Sequence, residues 1–500
     1  MEADERLTNA GRGSLVVTDE SGAEHDGRAA VMSVPEMDRR QVLAGIGALG
    51  LTQAAGAAAS PRPHILWRNG WNLNNIGDIA HVPGALALLR RYIPEARITL
   101  WAHNDLVFRG DLAAAARFDP GLDAGRIHRR VMPDLALVTG KVDASGRGDN
   151  PALDAAVAGA DMMVIGSGAG VLEAAALNAF RRRRAKPTGM FGITTDPFNF
   201  TSFDPGSADR EALGAAAFVY TRERTSLRAL RGEDVDGPHG AQADDPATPV
   251  NEAINRRAAA PLAMRAQPEF MPDTTFAFDA RDDAAALALM REMGLEAGRF
   301  AAFVPRLRWT PYATPTRQGD SRAVYNALYA RSDHAKLQAA MVAYVRATGH
   351  KVAIVPETVQ AVPLLAELLM EGLPADVADK VAAMNRYWLP DAAASLFARA
   401  TLVVSVENHS PILAAAAGTP FVMVHQPEDS FKSDMFTDIG LGAWHIRDIG
   451  AASGEDVARV TMSIARDLPG ARRRLAAAMR MVAARHREGM RRVRRVAGLR

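Results

Sequence analysis

The feature that most constrains this chain is an alternation. Short apolar runs are separated by alanine-rich segments with helical spacing. "HILWRNG" from residue 64 predicts a buried strand. A glycine turn and a helix follow in "NNIGDIAHVPGALALLRRY", with Ala85, Leu86, Leu88 and Leu89 on the apolar face. "ARITLWAH", "DMMVIG", "PTGMFGIT", "AAFVYTRE" and "PEFMPDTTFAFD" predict further strands, with helices such as "VLEAAALNAFRRRR" between them. A second set opens at "FAAFVPRLRW" and continues through the helix "HAKLQAAMVAYVRATG", the strand "HKVAIVPET", the helix "AVPLLAELLMEG" and the strand "TLVVSVE". Strands alternating with helices imply parallel sheets covered on both faces. The expected class is α/β: two Rossmann-like domains, residues 64–285 and 286–465, facing each other across a cleft. Ligands of such sheets lie outside the carboxyl ends of the strands.

The flanks read differently. Residues 1–63 form a leader in which Arg39 and Arg40 precede a mildly apolar run and Ala57-Ala58-Ala59. That pattern resembles a twin-arginine signal and implies a periplasmic or extracytoplasmic location; a disordered leader on a cytoplasmic protein is the alternative. A polar stretch at about 232–257 reads as a surface insertion. Residues 466–500 form a basic helix, either packed on the protein with a solvated arginine face or touching a membrane surface. The net charge of +2 provides no field for nucleic acid. The absence of cysteine excludes disulfides, thiolate metal sites and a cysteine nucleophile. With no H-E-x-x-H and no G-x-S-x-G, neither a metal site nor a serine hydrolase is expected.

Candidate site residues cluster at strand ends. Gly77 and Asp78 sit where a strand hands over to a helix; the glycine admits a ligand, and Asp78 could act as a base or simply cap the helix. Gly166 and Gly168 form a glycine loop after "MMVI". It falls short of a dinucleotide fingerprint, because the run Arg181 to Arg184 stands where an acid is expected, so no nicotinamide or other cofactor is expected. Arg222, Arg306 and Arg308 end strands and suit a phosphate or carboxylate. In "SVENHSPILAAAAGTP", Ser410 is placed to cap a helix whose N-terminus points at whatever His409 faces. Lys432 follows the next strand.

These pieces together resemble the polysaccharide pyruvyl transferase family: "NIGD", "ADMMVIGSGAG", "TRERTS", "MPDTTFAFD", "SVENHSPILAAAAGTP" and "DSFKSD", in that order, over roughly residues 64 to 450. The resemblance implies a fold similar to B-type glycosyltransferases. It implies transfer of pyruvate from phosphoenolpyruvate to a glycan acceptor as a ketal. It implies His409 as the acid/base or phosphate-contacting residue, Arg222, Arg306 and Lys432 as anion ligands, and Asp78 facing the acceptor sugar. Glu407 stands where the family usually has arginine, and Ser167 and Ala169 interrupt its run of three glycines. Two other readings stay open: a B-type glycosyltransferase using a nucleotide sugar, and an exported, non-catalytic glycan-binding protein.

Overall fold

The computed structural model describes residues 62–107, 122–197, 200–233, 235, 262–310 and 319–499. The twin-arginine-like stretch and nearly all of the polar insertion lie outside the described residues. Two parallel sheets organise the rest. The first contains β1 (His64–Arg68), β2 (Arg97–Trp101), β3 (Ala136–Val138), β4 (Met162–Ile165), β5 (Gly168–Ala169), β6 (Thr188–Thr194), β7 (Phe218–Thr221) and β8 (Glu269–Phe270). Its order is β3-β2-β1-β4-β6-β7-β8, with β5 beside β6. The second contains β9 (Phe300–Val304), β10 (Lys351–Ile354), β11 (Val381–Ala383), β12 (Val403–Ser405), β13 (Phe421–Val424) and β14 (His445–Ile446), ordered β11-β10-β9-β12-β13-β14. In both sheets the first strand lies inside and the order reverses beside it. This is the switch point at which α/β sheets place ligands.

The central strands β1, β4, β9 and β13 are buried along their whole length. Both faces of these sheets are covered, so their strands read as continuous apolar runs rather than alternating ones. One apolar cluster includes Ile65, Trp67 and Val164 of the first sheet and Phe303, Val404 and Val422 of the second. A second cluster, with Leu66, Met163, Ile165 and Phe180, fills the other face of the first sheet.

Three expectations change. "PEFMPDTTFAFD" is a strand only at Glu269–Phe270; past Pro272, Asp273 accepts from Thr275 N (2.9 Å) and opens the 3₁₀ turn Thr274–Ala277. "AVPLLAELLMEG" is a 3₁₀ turn, Val359–Leu364, before the short α-helix Leu365–Leu369; Pro363 has no N–H to offer a regular helix. The expected domain boundary at 285/286 falls inside the helix Asp283–Glu292, which an Asp282 cap starts.

The basic tail is the helix Leu468–Val496, and it packs on the protein. Ala471, Leu475, Ala478, Val482, His486, Gly489, Met490 and Val493 are buried at helical spacing. It returns to the first sheet's side. His486 Nε2 meets the Pro272 carbonyl at 2.9 Å, and Arg494 grips Glu95 at 2.8 and 2.9 Å. Among the described residues no helix is long and apolar enough to cross a membrane.

Candidate active site

The site forms where the helix Ile76–Tyr92, after β1, meets the helix His409–Ala416, after β12. Asn75 caps the first helix, accepting from Gly77 N at 2.6 Å and Asp78 N at 3.4 Å. The capping role open to Asp78 therefore belongs to Asn75, and Asp78 faces the cleft with a side chain 27% exposed. Pro83 and Gly84 lie one to two turns on. A Cβ at Gly84 would overlap the Thr274 carbonyl, so the glycine lets this helix press against the Asp273 turn. Gly77 works the same way: a Cβ there would overlap the His409 ring.

His409 is buried and makes contacts through both ring nitrogens. Nδ1 meets Glu357 Oε1 at 3.1 Å, and Nε2 meets His81 Nε2 at 3.2 Å, with the rings edge to face at 87°. His81 is buried too, and its Nδ1 lies 3.1 Å from both Asp273 Oδ1 and Thr275 Oγ1. Asp78, one turn before His81, has an oxygen 4.0 Å from His81 Nε2. The Asp273 carboxylate also receives Arg222 at 3.0 Å. The result is a line across the two halves: Glu357, His409, His81, Asp273, Arg222.

The electrostatics follow from this geometry. Burial opposes the charge of Asp273, yet His81, Arg222 and His409 hold its carboxyl well below the usual carboxylate range. Burial also opposes charge on Glu357, and the hydrogen bond and charge of His409 with donors from Ser410 outweigh it, so its carboxyl lies below the usual value. Burial lowers the His409 imidazole, and its bond to Glu357 more than reverses this, so its pKa is raised. An ionised carboxylate only accepts. Each histidine therefore carries its Nδ1 proton toward a carboxylate, and the two Nε2 lone pairs face one another. At 3.2 Å one of them carries a proton toward the other or a cation lies between them.

Several sequence-based assignments are corrected. Ser410 does not cap its helix; Asn408 holds that position, and the Ser410 N–H (2.6 Å) and hydroxyl (2.7 Å) both donate to Glu357. The helix N-terminus expected to meet a ligand anion thus already meets an internal carboxylate. Arg222 is buried behind the site, donating to Thr194 Oγ1 (2.6 Å) and Asp273. Arg308 is held by Asp333 (2.8 and 3.1 Å) and Glu428 (2.9 Å) and stacks on Tyr329. Arg306 lies 2.5 Å from Asp429 and 3.6 Å from Glu407, and Lys432 pairs with the same Asp429 at 2.5 Å. All four cations proposed as anion ligands are matched by acids of the chain itself. Gly166 and Gly168 are closely packed: a Cβ at Gly166 would overlap Asn69 and Trp67, and Gly168 packs on Trp71, whose indole N–H donates to Ser167 O at 2.7 Å.

The structure therefore brings Gly77, Asp78, His409 and Ser410 together and sets Arg222, Arg306, Arg308, Lys432, Gly166 and Gly168 in supporting networks. His81, Glu357 and Asp273 are the residues that sequence reasoning missed. A helical wheel from Asp78 would have found His81, three residues on and on the same face. Glu357 follows β10, at the strand end where candidates were sought.

Two parallel-sheet α/β domains thus meet at a titratable centre beside the carboxyl ends of their strands. The chain belongs to the polysaccharide pyruvyl transferase family, whose model matches residues 75–425. The protein is accordingly a polysaccharide-modifying transferase. No curated protein sequence matches it. Among solved structures it is similar to HepE of Anabaena in complex with UDP (10% identity, TM-score 0.45, 85% of this chain and 95% of that one). It is also similar to a UDP-glucosyltransferase from Polygonum tinctorium (12%, 0.47, 88% and 100%) and to the UDP-GlcNAc 2-epimerase of Neisseria meningitidis (9%, 0.42, 84% and 98%).

Proposed function

We propose that the protein transfers pyruvate from phosphoenolpyruvate to two hydroxyls of a glycan, forming a ketal and releasing phosphate. The observation that carries this reading, beside family membership, is the facing pair His81 and His409 with Asp78 at its open side. The reaction joins C2 of the donor to two sugar oxygens, breaks the C2–O bond to phosphate, and converts the methylene to a methyl. Two hydroxyl protons leave the sugar; one ends on the methyl carbon and one on the released phosphate. Asp78 is the partly exposed carboxylate of the three at the centre, and we assign it to take a hydroxyl proton and pass it to the methylene carbon. Positive charge held at the two Nε2 atoms faces the phosphate as the C2–O bond breaks. His409 thus acts as a phosphate-contacting residue.

A thermal-shift panel on the full chain tests this, since a ligand of the native state raises Tm by mass action. Phosphoenolpyruvate is expected to raise Tm, and His409→Gln to abolish the shift. Asp78→Asn is expected to lose phosphate release in the presence of acceptor glycans. A shift with nucleotide sugars and none with phosphoenolpyruvate would replace this reading by a glycosyltransferase.

A further inference from the structure

We infer that Asp78, His81 and His409 form a site for one divalent transition-metal ion, bound by His81 Nε2, His409 Nε2 and an Asp78 oxygen. Among the described residues these three offer ligand atoms within 4.8 Å of one another. Two imidazoles about 2.1 Å from a tetrahedral ion stand about 3.4 Å apart, and the observed separation is 3.2 Å. Asp78 lies 4.0 Å from His81 Nε2 and is partly exposed, so a side-chain rotation closes the gap without moving the helix. The three sit on two helices that start at the same place, one after β1 and one after β12.

The surroundings favour a metal over a chance meeting of side chains. A ligating histidine usually donates its other N–H to a carboxylate, which fixes the tautomer and raises the basicity of the metal-facing nitrogen. Both histidines do so here, to two different buried acids, Glu357 at 3.1 Å and Asp273 at 3.1 Å. Glu357 is itself fixed by the Ser410 N–H and hydroxyl, and Asp273 by Arg222. Charge points the same way. Three carboxylates, Asp78, Glu357 and Asp273, surround the pair, and Arg222 supplies one matching cation at hydrogen-bond distance. The excess negative charge favours a cation between the two histidines. Two imidazoles and one carboxylate suit Fe²⁺, Co²⁺, Mn²⁺ or Zn²⁺ and leave coordination positions open toward the cleft.

The inference deepens the reading above at one point only: the ion would supply the positive charge that faces the donor phosphate, where Arg222, Arg306 and Lys432 are already matched. Metal binding itself rests on the three side chains and is tested without activity. Untagged full chain, stripped with chelator, is titrated with Co²⁺ by calorimetry and by visible absorption. One equivalent per chain is expected, with d–d bands of a low-coordinate site. Asp78→Asn, at a partly exposed position, is expected to weaken binding about tenfold or more, and Glu357→Gln by about tenfold to a hundredfold. His81→Gln should abolish the bands; circular dichroism confirms that each variant folds. Absence of stoichiometric Co²⁺ binding, or binding indifferent to both Asp78→Asn and His81→Gln, overturns the site. The donor is read separately, by repeating the phosphoenolpyruvate thermal shift on stripped and Co²⁺-loaded protein. A Co²⁺ site with no phosphoenolpyruvate shift keeps the metal and removes the donor. A phosphoenolpyruvate shift on protein that binds no Co²⁺ keeps the donor and removes the metal.

Discussion

At the residue scale, the site depends on what sits one atom away from the chemistry. Gly77 is the clearest case, because its missing Cβ is the space that the His409 ring occupies. Gly77→Ala is expected to push that ring off His81 and Glu357. Overpacking of this kind costs about 1–3 kcal/mol, and Co²⁺ titration with thermal melting of the variant would register both effects; unchanged binding and Tm would refute the packing argument. A second buried acid gives a pH prediction. Burial pushes Glu223 up to about 8, against the pull of Arg222 and of hydroxyl donors from Ser226 and Thr194. The folded protein then holds a proton between about pH 4.5 and 8 that the unfolded chain releases, so stability falls as pH rises through that window. Glu223→Gln removes the fall. Its stability advantage over the native protein, read by chemical denaturation, is expected to grow from pH 5 to pH 8 by an amount on the order of a few kcal/mol, and a constant difference across that range would contradict the assignment. Individual roles were the least legible part of the sequence. Arg222, Arg306 and Arg308 were correctly placed at strand ends, but a sequence does not say which acids fold against them. Asp273, Asp429 and Asp333 lie 51, 123 and 25 positions further along the chain. His81 was overlooked because one helical position among apolar residues carries no signal until its partner 328 residues away is known.

Elements were read far more completely, because strand and helix follow from local apolar spacing. All nine quoted strand segments contain a strand, although "PEFMPDTTFAFD" and "TLVVSVE" are cut to two and three residues. What failed locally failed at proline: Pro272 and Pro363 turn the expected strand and helix into 3₁₀ turns. The C-terminal helix shows how packing and charge divide its work. Its arginines suggested a charged surface, whereas its buried positions form one stripe packed on the protein. Leu475, 1% exposed within that stripe, is expected to cost about 2–5 kcal/mol on replacement by alanine. Arg494→Ala breaks a pair that is largely solvated, with side chains 27% and 46% exposed, and is expected to cost far less than the Leu475 replacement. Chemical denaturation of the two variants checks the ranking; an Arg494 effect equal to that of Leu475 would mean that charge, not apolar packing, docks the helix.

For the molecule as a whole, the site exists only while the two sheets stay together. The segment after β10 makes this physical. Glu357 O accepts from Ile76 N at 3.0 Å, Val359 N donates to Asn74 O at 2.9 Å, and the Glu357 side chain holds His409. One residue therefore fixes the start of the first site helix with its backbone and the histidine of the second with its carboxylate. Tyr387 adds a buried bond from its hydroxyl to Leu73 O at 3.0 Å. Further out, Arg126 from the first half grips the buried Asp391 of the second at 2.7 and 3.2 Å. Since one apolar cluster runs through both sheets, residues 62–499 are expected to unfold in a single cooperative transition, with tryptophan fluorescence and far-ultraviolet dichroism coinciding. Asp391→Ala removes a fully buried carboxylate but leaves an arginine that is about one-third exposed, so the cost is expected near about 1–3 kcal/mol, below the usual figure for a broken buried pair. If that pair helps to hold the halves in register, the variant should melt with separated fluorescence and dichroism midpoints and bind Co²⁺ more weakly, although Asp391 is not one of the three ligands. A variant with lower Tm, coincident midpoints and native Co²⁺ affinity would show instead that the contacts around Glu357 hold the site together without it.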